Sequence, residues 1–424
     1  MSTFSRRHVI RNLGALLSLP LLTRAGLGAD LAEIQHASPE DAARDEDFWR
    51  QVRLAFPVSA TLVNLNNGGV SPHPQVVADA WHRYQVLSNE APTYYMWRIL
   101  DQGREPLRAQ LATFAGVSPE EIALQRNATE ALETVIMGLS LRTGDEVVHT
   151  RYDYPNMCHA WRQRAMREGI VLRELSFELP AEDTDLIVKT FTDAFTDRTR
   201  VVHITQVINW TGQILPVAEI ARAARARGIQ VLVDGAHAFA HLDFKIPELD
   251  CDYFGTSLHK WLCAPIGTGM LYVRRERIAD LYPLLAAAAP HSADIRKFEV
   301  LGTRSFAAEQ AIGQALQFHQ MIGTARMEAR LRYLKDYWMA QVQDIPRIRL
   351  YTSRLPHAAC GLGTFGIEGK TPQEIESFLL STYKVHTSPV TWEDLRGVRV
   401  SPHVYTLLPE LDQLVAGIRA CAAT

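Results

Sequence analysis

The chain has 424 residues, which is enough for more than one domain, and its 47% hydrophobic and 21% charged residues are typical of a soluble enzyme. A net charge of −3 without a long basic run gives no support for nucleic-acid binding. No apolar stretch is long enough to span a membrane, so the composition also argues against a membrane-embedded protein.

The first 29 residues differ in composition from the rest of the chain. Arg6 and Arg7 precede an uncharged apolar run, and small residues follow as far as Ala29. This order is typical of a twin-arginine export signal cleaved near Ala29, although a basic amphipathic helix would share part of the pattern. The three features together favour export of a folded protein. They predict a periplasmic location, with the twin-arginine export machinery as a partner.

The next part of the chain leads into the first predicted strand. Residues 30–60 are acidic and helix-favouring, and are expected to join a small domain or to cross to a dimer partner. Asn67 lies in a strand, glycine turn and helix pattern, where it is either a substrate contact or a plain turn residue. The aromatic residues Tyr94, Tyr95 and Trp97 lie on a helix-rich stretch and are expected in the core.

Short apolar strands then alternate with helices. The strands are predicted over 122–125, 146–150, 199–205, 231–234, 251–257 and 269–273. Such alternation is typical of a mainly parallel sheet, whose strands present their C-terminal ends along one edge. The helix that opens at Asn127 offers backbone N–H groups and the hydroxyl of Thr129 to a phosphate, with an ordinary helix cap as the alternative.

Two neighbouring strands deliver an acid and a lysine to that edge. Asp234 ends one strand, and Lys260 follows the next one. A lysine can hold the aldehyde of pyridoxal phosphate as a Schiff base, and a carboxylate can keep the pyridine nitrogen protonated. Taken alone, each residue has an ordinary alternative, because a lysine after a strand is usually solvated and an acid at a strand end often caps a helix.

The residues around this pair carry a resemblance. Asp234-Gly-Ala-His237, Ser257-Leu-His259-Lys260-Trp and Gly267-Thr-Gly-Met-Leu-Tyr272 resemble the aminotransferase class V family of fold-type I pyridoxal phosphate enzymes, in its isopenicillin N epimerase-like branch. The resemblance extends over almost the whole chain after about residue 55. It implies an α/β fold, in which 61–306 form a large domain with a mainly parallel seven-stranded sheet. Residues 307–424 form a linking helix and a small C-terminal α/β domain.

The resemblance also assigns site residues. It implies that Lys260 binds pyridoxal phosphate and then removes the Cα proton of the substrate, and that Thr303 reaches the phosphate of a partner subunit in a homodimer. The resemblance implies that Tyr154 stacks on the pyridine ring at a position where many relatives have histidine, a difference that would keep the stacking but remove an imidazole that could relay protons. The implied cofactor contacts are Ala128, Thr129, Tyr154, Asn209, Asp234, His237, Ser257, His259, Lys260 and Thr303.

Substrate binding is assigned to Asn67 and Arg399, because the family binds the substrate carboxylate with an arginine at the second position, where a surface arginine is the alternative. Residues 384–392, where cysteine desulfurases of the family carry a cysteine, have none, which argues against persulfide chemistry.

The five cysteines are scattered without a CxxC pair, so they indicate neither a zinc site nor a disulfide framework, and buried thiols are expected. Gly361 to Gly366 match a dinucleotide fingerprint, but no helix follows, so a glycine-flanked strand is expected.

These residues explain how a carbanion forms but not what becomes of it. Epimerisation, transamination and elimination all start from that species. Members that combine this fold with a twin-arginine signal include an enzyme of pyoverdine maturation. We therefore expect a periplasmic enzyme that modifies an amino-acid group of a peptide-like or siderophore metabolite. The alternatives are an epimerase, aminotransferase or C–S lyase acting on a free amino acid or small peptide, and a binding protein without turnover.

Overall fold

The computed structural model describes residues 37–424, so the predicted export signal lies outside the described residues. The described chain begins with helices α1 (Pro39–Arg44) and α2 (Glu46–Arg53). It continues into the short strand β1 (Val63–Asn64). In residues 37–424 no helix combines the length and the apolar character needed to cross a membrane.

The large domain is built on a seven-stranded sheet in the order β2-β8-β7-β6-β5-β3-β4. Its strands are β2 (Ile122–Gln125), β3 (Glu146–Thr150), β4 (Val171–Leu175), β5 (Thr199–Thr205), β6 (Gln230–Asp234), β7 (Tyr253–Ser257) and β8 (Gly269–Val273). Only β8 runs antiparallel to its neighbours; the other pairs are parallel. The predicted mainly parallel seven-stranded sheet is therefore confirmed.

Helices cover both faces of this sheet, which explains why its central strands read as continuous apolar runs. The helices are α3 (Gln75–Glu90), α4 (Arg104–Ala115), α5 (Ala128–Gly138), α6 (Pro155–Glu168), α7 (Thr184–Asp193), α8 (Val217–Arg225) and α9 (Phe306–Ile322). Helix α5 packs on β7 and carries its own cap, because the side chain of Asn127 accepts a hydrogen bond from the Glu130 N–H at 2.9 Å.

The C-terminal domain is a four-stranded antiparallel sheet in the order β12-β13-β10-β9, with a second core of its own. Its elements are α10 (Thr324–Val342), β9 (Ile348–Leu350), β10 (Gly363–Ile367), α11 (Pro372–Tyr383), β11 (Val385–His386), β12 (Ser388–Trp392), β13 (Leu395–Val400) and α12 (Leu408–Ala423). The dinucleotide-like stretch enters β10, as the strand interpretation predicted.

The N-terminal segment packs on the C-terminal domain. Helix α1 lies on α10, and the buried Arg330 of α10 donates to the Ala43 carbonyl at 2.9 Å. Strand β1 pairs in parallel with β11, although residues 61–306 were predicted to form the large domain. The polypeptide therefore passes along the C-terminal domain before it enters the large one.

Two expectations of detail were wrong. The linking helix predicted over 307–343 is two helices, because Gly323 adopts a φ of 95° that no helix accommodates. The aromatic residues at 94–97 are not core: Tyr94 is 55% and Trp97 44% exposed. They lie on a run of short helical turns at the surface, where the Trp97 ring contacts Phe306 edge-on at 4.8 Å.

Candidate active site

The site is assembled at the C-terminal ends of β6 and β7. These strands run in parallel with Asp234 opposite Gly255, so Asp234 and Ser257 emerge at the same edge. The turn after Ser257 brings the partly buried Lys260 back over the edge. The approach of the two strands requires glycine at 235, since a Cβ there would lie 1.8 Å from the ring of Phe254.

Lys260 is held beside the imidazole of His237. Its Nζ lies 3.1 Å from His237 Nε2, and the indole N–H of Trp261 donates to His237 Nδ1 at 3.4 Å. An indole N–H can only donate, so the Trp261 contact favours the neutral tautomer with its proton on Nε2, which can donate to Lys260 Nζ once that amine is neutral. Burial, with the nearby charges of Lys260 and Arg399, lowers the pKa of His237 well below its ordinary value, so the ring is neutral.

The pKa of the Lys260 amine is lowered as well. Burial lowers the pKa of Lys260 to about 8, against the opposing attraction of Asp234. The positive charge of Arg399 acts in the same direction as burial and is included in this value. A neutral amine is both a nucleophile and a base, so the surroundings prepare Lys260 for either role near neutral pH.

Asp234 is buried, and one of its carboxylate oxygens accepts a hydrogen bond from the backbone. Its Oδ1 accepts a hydrogen bond from the Ala236 N–H at 2.9 Å. Burial raises the pKa of Asp234 to about 6, while that hydrogen bond and the charge of Lys260 hold it down. The carboxylate is therefore ionised at neutral pH and available to a protonated nitrogen.

The start of α5 lies directly against Ser257. The Ala128 N–H donates to Ser257 Oγ at 2.9 Å, and Thr129 follows as the second residue of the helix. Strand β8 makes this approach possible, because a Cβ at Gly269 would lie 2.6 Å from the backbone of Asn127. The partly buried His259 completes the group with an Nδ1 that has no partner. Burial lowers the pKa of His259 to about 4.

The C-terminal domain contributes Arg399, which is 7% exposed. Its Nη1 donates to the Asn209 carbonyl at 2.9 Å and its Nη2 to Asn66 Oδ1 at 3.0 Å. The buried Nε has no partner, which leaves one edge of the guanidinium fork free for an anion. Burial lowers the pKa of Arg399 to about 10, and the group remains charged at neutral pH.

The side chain of Asn67, a predicted substrate contact, is engaged elsewhere than in this group. It is fully buried, and its amide is used inside the protein by Tyr405, Asn64 and the Ser401 carbonyl. Its neighbour Asn66 contacts Arg399 instead. A substrate contact by the Asn67 side chain would require these bonds to break.

Tyr154 and Thr303 lie at the periphery. Tyr154 precedes helix α6 and is 41% exposed, and the phenol is close enough to Arg399 to influence the pKa of the guanidinium. Thr303 is exposed in the segment between β8 and α9. Neither position tests the ring stacking or the contact to a partner subunit, which remain predictions.

Sequence reasoning missed Asn66, Trp261 and Gln206. Gln206 follows β5 as Asp234 ends β6, and its N–H donates to the Asp234 carbonyl at 3.0 Å. Its side-chain oxygen is buried without a partner. Its place at the end of a neighbouring strand was the signal that could have identified it. The contacts of Asn66 and Trp261 depend on distant parts of the chain.

The polar groups of the site fit pyridoxal phosphate. Unpartnered buried atoms belong to Asn209 (Oδ1), Gln206 (Oε1), His259 (Nδ1) and Arg399 (Nε). Buried polar atoms without partners are costly. Arg399 Nε can donate to an oxygen of a phosphate or carboxylate, and His259 Nδ1 can do so in the tautomer that carries its proton, whereas the two amide oxygens accept and suit an N–H or O–H group of the ligand. No cluster of three or more potential metal ligands occurs within residues 37–424, and all five cysteines are buried free thiols.

Known proteins resemble the chain in sequence and in fold. The isopenicillin N epimerase of Streptomyces clavuligerus is 28% identical over 390 residues, which cover 88% of this chain and 98% of the epimerase. A cysteine desulfurase of Dickeya dadantii is 28% identical over 408 residues, covering 87% and 95%.

Among solved structures, the cystine C–S lyase C-DES in complex with cysteine persulfide superimposes with a TM-score of 0.78 at 24% identity, covering 86% of this chain and 99% of the lyase. A mutant of C-DES carries glycine covalently linked to its PLP cofactor, with the same TM-score of 0.78 and 24% identity over 87% and 98%. The family model for aminotransferase class-V matches residues 63–389. The chain therefore belongs to the aminotransferase class V family and is a pyridoxal phosphate-dependent enzyme.

Proposed function

We propose that this protein is a periplasmic enzyme that uses pyridoxal phosphate to modify an amino-acid group of a peptide-like metabolite, such as a siderophore of the pyoverdine type. The observation that carries the catalytic part is the lysine of lowered pKa, beside a neutral imidazole and a buried carboxylate. The twin-arginine pattern at residues 5–11 supports the location and, with it, the substrate class.

Bound pyridoxal phosphate supplies an electron sink that makes the Cα proton of an amino substrate acidic. Asp234 would hold the protonated pyridine nitrogen, and the Nε2–H of His237 would donate to the phenolic oxygen. Ser257, His259 and the start of α5 would hold the phosphate. Lys260 would act as a neutral amine and accept the Cα proton at Nζ. Lys260 would hold the proton near the imidazole of His237, whose Nε2 lies 3.1 Å from Nζ, until it is returned.

Arg399 binds the substrate carboxylate in this proposal, and its replacement gives a separate prediction. Arg399→Lys keeps the charge but removes the planar fork, so kcat/KM is expected to fall about 10- to 100-fold, mainly through KM, since one charged hydrogen bond contributes about 1.5–3 kcal/mol. Arg396→Lys is the matched control, because Arg396 is exposed on the same strand. Equal KM values for the two variants would contradict the assignment of Arg399 as the residue that binds the substrate carboxylate.

Export is tested on the leader itself. The double variant Arg6→Lys, Arg7→Lys is expected to keep the protein in the cytoplasmic fraction of a host with a twin-arginine system, whereas the wild type is recovered from the periplasm. Enzyme assays on both fractions report whether the retained protein is folded. Recovery of the double variant from the periplasm in wild-type amount would refute export by this route, and with it the argument for a periplasmic substrate.

The reaction is tested by hydrogen exchange at Cα. The mature protein, loaded with pyridoxal phosphate in D₂O, is incubated with free amino acids and with peptide-like siderophore precursors, and the products are analysed by mass spectrometry and NMR. Deuterium at Cα of the peptide-like compounds, with little in free amino acids, is the expected result. Exchange confined to free amino acids would favour the isopenicillin N epimerase-like alternative. A keto acid would indicate transamination.

A homodimer is part of this proposal. The segment that carries Thr303 is anchored by Glu299, which accepts hydrogen bonds from Arg108 Nη2 at 3.0 Å and from the Leu124 N–H at 2.6 Å. Beyond this anchor the chain reaches the surface, and Val300 is 48% exposed. An anchored but exposed segment suits a residue that completes the phosphate site of a second copy.

A further inference from the structure

The loop that carries Asn209 is fixed to the C-terminal domain by a row of hydrogen bonds. The backbone carbonyls of four consecutive residues each accept at least one hydrogen bond from that domain. Asn209 accepts from Arg399 Nη1 at 2.9 Å, Trp210 from Thr364 Oγ1 at 2.6 Å, Thr211 from Thr352 Oγ1 at 2.5 Å, and Gly212 from the Cys360 N–H at 3.3 Å. This row, residues 209–212 with their four donors, is called the carbonyl clamp below.

The two threonines of the clamp are linked to each other through the backbone of Thr364. Thr352 is 3% and Thr364 0% exposed, and the Thr352 hydroxyl also accepts a hydrogen bond from the Thr364 N–H at 2.8 Å. Removing either hydroxyl would leave a loop carbonyl without its donor at a site with little access to water, which is costly. The loop has little room to shift, because Gly212 has a φ of 75° and a Cβ there would lie 2.7 Å from the Leu362 carbonyl.

The clamp also joins the two predicted functional residues. Thr364 on β10 pairs directly with Arg399 on β13, so neighbouring strands present donors to neighbouring carbonyls. The Asn209 side chain, whose Oδ1 is buried and unpartnered, is held on the same loop. The rings of Trp210 and Trp392 stack at 5.1 Å and 14° and add a second attachment between the loop and the domain.

We propose that the hydroxyls of Thr352 and Thr364 are positioning groups of the active site, which hold the 209–212 loop so that Arg399 and Asn209 face the substrate carboxylate and the cofactor together. This inference rests on the proposed function, because it assigns a carboxylate to Arg399. Neither threonine touches the reacting atoms, so both act through the loop and through Arg399.

The test compares two probes that differ in a carboxylate. Aminooxyacetate and O-methylhydroxylamine both react with lysine-bound pyridoxal phosphate and bleach its visible absorption, but only the first carries a carboxylate. The ratio of their bleaching rates therefore reports the carboxylate site. Thr352→Val and Thr364→Val are expected to lower this ratio about tenfold, while Thr364→Ser, which keeps the hydroxyl, retains it. Thr134→Val is the matched control, since the Thr134 hydroxyl donates to the Glu130 carbonyl at 2.7 Å within α5.

A second measurement uses the protein without cofactor. Amide hydrogen exchange of the peptide that covers residues 206–216 is expected to be about tenfold faster in the two valine variants and unchanged in Thr134→Val. A purely structural role predicts equal losses of thermal stability in all three valine variants with the probe ratio unchanged, and this result would overturn the inference. If the wild type reacts equally with both probes, the carboxylate assignment of Arg399 fails, and unchanged exchange at 206–216 would refute the clamp independently.

Discussion

Replacing Lys260 with alanine is expected to abolish turnover and the visible absorption of the protein loaded with pyridoxal phosphate. The change removes both the covalent attachment of the cofactor and the base at Nζ, and a positioned base alone contributes about 10²–10⁴-fold. The rate of Cα exchange should therefore fall by at least about 10³-fold. Absorption spectra and D₂O exchange of the wild type and the variant measure both effects.

Lys297→Met is the control for this loss. Lys297 is also buried, and burial lowers the pKa of its amine, but its Nζ donates to the Ile278 and Pro290 carbonyls away from the site. That variant should keep the absorption. In the wild type, the rate of cofactor capture should rise about tenfold per pH unit below pH 8 and level off above it, because only the neutral amine attacks and the pKa of Lys260 is about 8. A capture rate independent of pH would contradict the tuning of Lys260.

Asp234→Asn is expected to separate cofactor binding from catalysis. The amide keeps the shape of the side chain, and its oxygen can still accept the bond from the Ala236 N–H. It carries no charge, however, and cannot keep the pyridine nitrogen protonated. We expect the variant to bind pyridoxal phosphate at Lys260 but to lose about 10²–10³-fold in Cα exchange, the magnitude typical of removing one electrostatic contact in an active site.

The pH dependence of the wild type checks the same carboxylate. The pKa of Asp234 is raised to about 6 by burial, so the charge needed by the pyridinium is lost as the pH falls through 6 in the protein without cofactor. Cofactor affinity should decline below that pH in the wild type, and Asp234→Asn should not show this decline. Activity of the asparagine variant within about threefold of the wild type would mean that Asp234 does not govern the electron sink.

Elements whose chemistry is local in sequence could be predicted. Asp234, Ser257 and Lys260 follow two short apolar strands, and parallel strands place their C-terminal ends side by side, so these residues had to meet. The helix that begins after Asn127 was predictable for the same reason. Its capping hydrogen bond joins Asn127 to the N–H of Glu130, three residues later, and requires no other part of the chain.

Features that depend on contacts between residues far apart in the sequence could not be predicted. Asn66 and Asn67 are adjacent, and the pattern of the turn does not say which one faces Arg399. Contacts with the C-terminal domain decide which asparagine faces Arg399. Asn66 forms a β-bridge with Ser401, and the Asn67 amide oxygen accepts a hydrogen bond from Tyr405. Both partners are more than 300 residues away in the sequence. The break at Gly323 was missed for a related reason, since a glycine within a helical pattern is often tolerated.

The most direct test of the central claim is to locate the lysine that holds the cofactor. The protein loaded with pyridoxal phosphate is reduced with borohydride, which fixes the cofactor to its amine, and the digested peptides are sequenced by mass spectrometry. One phosphopyridoxyl adduct is expected, on Lys260, and no stoichiometric adduct is expected in Lys260→Ala. A stoichiometric adduct on another lysine, or none at all in protein saturated with cofactor, would contradict it.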